Sequence, residues 1–182
     1  MRFTEHEWTF DGQPATHLAA EHFDLYTTVQ DASWRAMLPE FLEDCHRKYA
    51  SLVPDNKAGA DDRLETYLFE TRQQREAFTR LRFPGRLEVY RLIRSGGYTE
   101  GTISVCYSLG DRGQTLAVLA HEGLHQYLAR YSTEAIPAWL NEGLATYCEA
   151  LERDGRSEGS PPKNPGWRSR APVPPRWAIH AE

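Results

Sequence analysis

The sequence predicts an α+β domain with a small mixed sheet, and three patterns carry that expectation. Several short segments alternate apolar and polar residues with the two-residue period of a strand. Longer segments place apolar residues three and four apart, the spacing of an amphipathic helix. Two such helical patterns follow one another closely in the last third of the chain, which predicts a packed helical pair beside the sheet.

Taken in order, Glu21–Thr28 reads as a strand, with Phe23, Leu25 and Thr27 on one face. A helix follows from about Ser33 to Leu52, in which Trp34, Met37, Leu38, Phe41, Leu42, Cys45 and Tyr49 recur at helical spacing and Ser33 is the expected cap. Residues 53–62, VPDNKAGADD, read as a loop. Arg63–Glu70 alternates as a strand, Thr71–Leu81 as a short helix, and Phe83-Pro84-Gly85 closes that helix with a turn. After Gly96-Gly97, the run Gly101–Tyr107 sets Ile103, Val105 and Tyr107 against Thr102, Ser104 and Cys106. Half-polar in this way, it is expected at a sheet edge. Helices are predicted over about Gln114–Arg130 and Pro137–Arg153, the second with proline in its first turn. No internal repeat is present. The domain is expected to occupy residues 1–154. Residues 155–182 read as a Pro-rich extended tail, because six of the eleven prolines fall within Pro161–Pro175, and it is either a linker or, slightly preferred, an arm packed through Trp167 and Trp177.

Composition narrows the function classes. At 182 residues, with 40% hydrophobic and 26% charged residues, the chain suits one domain with an ordinary core. A net charge of −5 and the lack of a Lys/Arg-rich run argue against a nucleic-acid binder. No apolar stretch approaches the roughly 20 residues of a membrane-spanning helix. The charged opening MRFTEHEWTFDGQ is unlike a signal peptide. Cys45, Cys106 and Cys148 are odd in number and widely spaced, which fits buried reduced thiols and predicts a cytoplasmic protein.

The chemistry is carried by His121-Glu122-Gly123-Leu124-His125, an HExxH motif. On a helix the two histidines lie one turn apart on one face, and Glu122 stands roughly 100° around from His121. That arrangement lets both imidazoles reach one zinc ion while Glu122 takes a proton from a water activated by it. A surface patch is the alternative, and the flanking residues oppose it. Leu116, Leu119, Ala120, Leu124 and Tyr127 make one face apolar, and Ala117, Val118 and Leu128 flank the histidines. A helix apolar nearly all round is buried, and burying these polar groups without a partner is costly. A third ligand must come from elsewhere. In the next helix, Glu142, Ala145, Thr146 and Glu149 share one stripe, and sixteen residues separate His125 from Glu142. An antiparallel helix pair would bring Glu142 back beside the histidines.

HEGLHQY followed by WLNEGLATYCE resembles the gluzincin metallopeptidases, in which a downstream Glu in an "NEG" helix completes HExxH. The wording is similar to segments of the membrane alanyl aminopeptidases, and the wider layout to the peptidase-MA-like bacterial domains of unknown function. The resemblance is specific over about Gly97–Glu152 and loose over Glu21–Arg86. It implies a zincin-like fold, with an edge strand beside the HExxH helix and a second helix bearing the third ligand. It further implies His121, His125 and Glu142 as zinc ligands and Glu122 as general base. Glu149, with Thr146 beside it, would support a ligating histidine. Gly101, Thr102, Ile103 and Ser104 would lie in the strand that pairs with an extended peptide or protein substrate.

Two features depart from the alanyl aminopeptidases. Their GxMEN signature is missing, since Met1 and Met37 are the only methionines, so aminopeptidase activity is not implied. The later helix that supplies their oxyanion-stabilising tyrosine is not expected here, and Tyr147, about 140° from Glu142 around its helix, points poorly for that role, which leaves Tyr98, Tyr107, Tyr131 and His180 as unranked candidates. His6, His17, His22 and His46 show no ligand spacing and are expected to be structural. The function expected is zinc-dependent hydrolysis of peptide bonds. The alternative is a catalytically inactive zinc-containing module that binds peptide or protein.

Overall fold

A computed structural model describes residues 3–53, 63–133 and 135–153. The chain is α+β, as expected, with a six-stranded mixed sheet and five α-helices among these residues. The strands are β1 (Thr4–Phe10), β2 (Gln13–Ala19), β3 (Phe23–Thr27), β4 (Leu64–Phe69), β5 (Gly97–Glu100) and β6 (Ile103–Tyr107). The helices are α1 (Ala32–Leu52), α2 (Arg72–Arg82), α3 (Leu87–Leu92), α4 (Arg112–Tyr131) and α5 (Ala138–Arg153), with a 3₁₀ turn at Pro84–Arg86. Sheet order is β1-β2-β3-β4-β6-β5. β3, β4 and β6 run parallel, and the remaining neighbours are antiparallel.

Strand alternation assigns each sheet face its own core. On one face Leu18, Phe23, Leu25, Leu64 and Leu68 pack under α1 and α4 through Trp34, Leu38, Leu42, Tyr49, Leu119, Leu124 and Tyr127. On the other, Phe10, Tyr67, Phe69, Tyr98 and Val105 pack with Phe78 and Tyr90 of α2 and α3. β4 lies between the two cores, with Leu64 and Leu68 in one and Tyr67 and Phe69 in the other.

Several boundaries differ from the sequence reading. The β1–β2 hairpin was not anticipated, although its signals are present. Thr4, His6, Trp8 and Phe10 alternate, and Asp11-Gly12 forms the tight turn with both φ angles positive, at 49° and 72°. Helix α1 is capped by Asp31, whose side chain accepts from the Trp34 amide, and not by Ser33, which hydrogen-bonds Asp31 instead. The expected edge strand is a hairpin. Residues 97–100 form β5, Gly101 turns the chain with φ 59°, and β6 lies inside the sheet. β6 pairs with β4 on one side and β5 on the other, so Ile103 and Ser104 have no open edge, and Gly101 and Thr102 form the turn. Sequence alternation marked the face of this segment correctly but carried no information about which neighbours satisfy its backbone. The Pro-rich tail and its Trp167–Trp177 arm lie outside the described residues. No helix among the described residues is long and apolar enough to cross a membrane.

Candidate metal centre

The site is held between α4, α5 and β5. Asp111 caps α4 by accepting from the Gln114 amide at 2.7 Å, which sets the helical phase for the next twenty residues. Two contacts then fix the helix against its neighbours. Tyr49 of α1 donates to the Ala120 carbonyl at 2.7 Å, directly before His121. Gly123 permits this approach, since a Cβ there would stand 2.8 Å from the Tyr49 hydroxyl. One residue past His125, buried Gln126 donates to the carbonyls of Glu65 and Thr102, each at 2.8 Å, and accepts from Thr66 at 3.2 Å. The histidine turn is thus pinned at both ends.

Helix α5 returns antiparallel to α4, because His121 meets Glu149 while His125 meets Asn141. Ala145 and Cys148 are buried, and Glu142 shares their side of the helix. The structure brings His121, His125 and Glu142 into one group. The two Nε2 atoms are 3.2 Å apart. Glu142 Oε2 lies 3.7 Å from His121 Nε2, and Oε1 lies 3.5 Å from His125 Nε2. Ligands about 2.0–2.1 Å from a tetrahedral zinc stand about 3.3–3.4 Å from one another, so the spacing fits that ion.

Hydrogen bonding on the far side of each ring makes the same argument electrostatically. His121 Nδ1 lies 3.0 Å from Glu149 Oε2, and His125 Nδ1 lies 2.7 Å from Asn141 Oδ1. Both partners offer acceptors, so each Nδ1 donates outward and a neutral ring would present its Nε2 lone pair inward. Two imidazole nitrogens and a carboxylate therefore converge on one point. Such a set could hold a cation, and Zn²⁺ suits two imidazoles and one carboxylate.

Asn141 was missed from sequence. It immediately precedes Glu142, and the signal available was its amide, able to orient a histidine from the start of the second helix. Thr146, in contrast, is exposed on α5, and the partners seen at the two Nδ1 atoms are Asn141 and Glu149. Thr146 is thus corrected as a supporting residue, because a helix that turns Ala145 inward turns residue 146 toward solvent.

Glu122 is only 3% exposed and adjoins the convergent group. Thr99 of β5 donates to its main-chain carbonyl at 2.9 Å and to its carboxylate at 3.1 Å. The sheet edge beside this carboxylate is β5, so Gly101, Thr102, Ile103 and Ser104 are not the edge positions. The tyrosine candidates point elsewhere. Tyr98 is buried on the opposite sheet face, stacked on Tyr90 and bonded to Thr79, and Tyr107 donates to the Arg94 carbonyl on that same side. Tyr131 packs in the α1–α4 core against His46, and Tyr147 is exposed on α5. His180 lies outside the described residues.

A second group, Glu21, His22 and Glu43, also meets ligand distances. Here buried Glu43 accepts from both the His22 amide and Nδ1 at 2.7 Å, and His22 stacks on His46. Those bonds satisfy the carboxylate, and the spacing is that of a hydrogen bond, shorter than that between two ligands of one ion. Cys45, Cys106 and Cys148 are buried thiols. Compared with known proteins, the chain matches no family model, no curated protein and no solved structure.

Proposed function

We propose that the chain is a zinc-dependent peptidase of the gluzincin type, with His121, His125 and Glu142 as ligands and Glu122 as general base. The observation that supports this most is the convergence of two inward imidazole Nε2 atoms and a carboxylate beside a second, buried carboxylate. Zinc held there would supply a Lewis acid for the scissile carbonyl and acidify water at neutral pH. Asn141 and Glu149, accepting from each Nδ1, would orient the rings toward the ion. Glu122, off the ligand axis, receives the proton from the attacking water on its carboxylate and returns it to the departing amine. The outer edge of β5 offers main-chain groups to an extended peptide, which would lie beside Glu122. That edge supports peptide as the substrate class, because an extended backbone could pair there whatever its side chains.

One observation favours a second reading, a zinc-containing module that binds peptide without cleaving it. Tyr98, Tyr107 and Tyr131 each pack away from the site and Tyr147 is exposed, so the described residues include no assigned group for the developing oxyanion. Three full-length proteins separate the readings: wild type, Glu122→Gln and His125→Ala. Each is purified without added metal, analysed for zinc and assayed on a broad peptide library at neutral pH. Wild type is expected to carry one zinc and to cleave. Glu122→Gln should keep zinc and lose about 10²–10⁴-fold in rate. His125→Ala should lose most of its zinc. Full zinc in His125→Ala overturns the ligand assignment, and a zinc-loaded wild type that cleaves nothing favours the binding module.

A further inference from the structure

The base proposed above is a glutamate, a side chain with many rotamers that must be confined before its carboxylate can face a reacting water. Its own helix does not confine it alone. Two residues of β5 meet it from the sheet. Gly97 makes room for its stem, since a Cβ at that position would fall 3.0 Å from Glu122 Cγ, 3.1 Å from Val118 Cγ1 and 2.7 Å from Cys106 Sγ. Thr99 lies two residues on and therefore on the same strand face. Its hydroxyl is shared between two acceptors of one residue, the Glu122 carbonyl at 2.9 Å and carboxylate Oε2 at 3.1 Å.

We infer that Thr99 is a positioning residue for Glu122, holding the carboxylate in one orientation from the strand that would also pair with substrate. The residue type suits the task. Threonine is β-branched and stiff at χ1, so its hydroxyl has a fixed direction from a paired strand. Because one hydroxyl binds both the main chain and the head of Glu122, it closes a short ring that opposes rotation of the side chain. Alanine or valine at this position would fill part of the space but leave the buried carboxylate oxygen without this donor. Gly97 and Thr99 together form a cradle for one side chain, space for its stem and a donor for its head. This inference rests on the hydrolytic reading only in naming Glu122 as the group that accepts the proton.

Thr99→Val and Thr99→Ser test it in the full chain loaded with zinc. Valine keeps the shape and the strand preference while removing the hydroxyl, and serine restores the hydroxyl. Hydrogen bonds to charged groups predict a fall in kcat of about ten- to hundredfold for Thr99→Val, with KM and zinc content unchanged within about twofold. Thr99→Ser should return kcat to within about threefold of wild type. Crystal structures give a readout independent of turnover: Glu122 is expected in a single orientation in wild type and displaced or split in Thr99→Val. Wild-type kcat in Thr99→Val overturns the inference, as does a change confined to KM, or a Thr99→Ser protein as impaired as Thr99→Val. If zinc-loaded wild type hydrolyses nothing, the hydrolytic reading falls by itself. Thr99 is then judged on the structures alone, and an unmoved Glu122 in Thr99→Val overturns its role.

Discussion

Replacing Gln126 by Leu removes the three hydrogen bonds that tie the histidine turn of α4 to the sheet. Gln126 is completely buried, and its amide reaches Glu65 of β4, Thr102 of the β5–β6 turn and the Thr66 hydroxyl. Leucine is close in volume, so the change isolates the polar term from cavity formation. Each bond contributes about 1 kcal/mol net, and partners left without a replacement raise that cost, so the expected loss is roughly 3 kcal/mol or somewhat more. For a domain of this size, 1 kcal/mol corresponds to roughly 2–4 °C, so melting should fall by roughly 6–12 °C. The measurement is urea and thermal unfolding with a chelator present, which keeps the mass-action contribution of bound zinc out of the comparison. A loss below about 1 kcal/mol would refute the reasoning, because it would mean that these bonds form only at the expense of equally good ones to water.

Other outcomes can be checked alongside. Asn141→Leu and Glu149→Leu, each removing an acceptor from one ring Nδ1, should weaken zinc binding by about 10–100-fold in competition with a chromogenic chelator. Unchanged affinity in both variants would show that neither ring depends on its outer partner. At alkaline pH, burial pushes the Tyr98 phenol up to about 12 from its ordinary value near 10. Its proton is then lost first from the unfolded chain, so stability is full below about pH 10 and declines by roughly 3 kcal/mol on approaching pH 12. Burial raises Tyr67 as well, which adds to the decline. Tyr98→Phe should flatten part of this slope in denaturant titrations, and an identical slope would contradict the assignment.

Helix α4, helix α5 and the residues that meet between them were legible because their cause is local. A 3.6-residue period places His121 and His125 on one face whatever the rest of the chain does, and it places Glu142 and Glu149 on one stripe of the next helix. The two cores follow from strand alternation in the same way, since successive side chains must point to opposite faces. A short connection between two amphipathic helices then leaves an antiparallel return as the compact solution, and the observed pairing of His121 with Glu149 and of His125 with Asn141 agrees with it.

What depended on tertiary structure was the identity of neighbours. Strand pairing is set by long-range backbone hydrogen bonds that no single segment encodes, so the same alternating run could serve as an edge or as an interior strand. β6 became interior because Gly101 turns the chain and the four residues before it form β5, so among the described residues the sheet edge passed to the strand that carries Thr99. The choice between Asn141 and Thr146 was decided by the depth at which α5 packs on α4, which turns Ala145 inward and leaves Thr146 in water. The Tyr49, Gly97, Gln126 and Thr99 contacts join residues 23 to 71 positions apart in sequence or depend on a missing side chain. Local periodicity thus determined which residues face the site, whereas packing between distant segments decided what holds them there, because a hydrogen bond or a close approach exists only once both partners are in place.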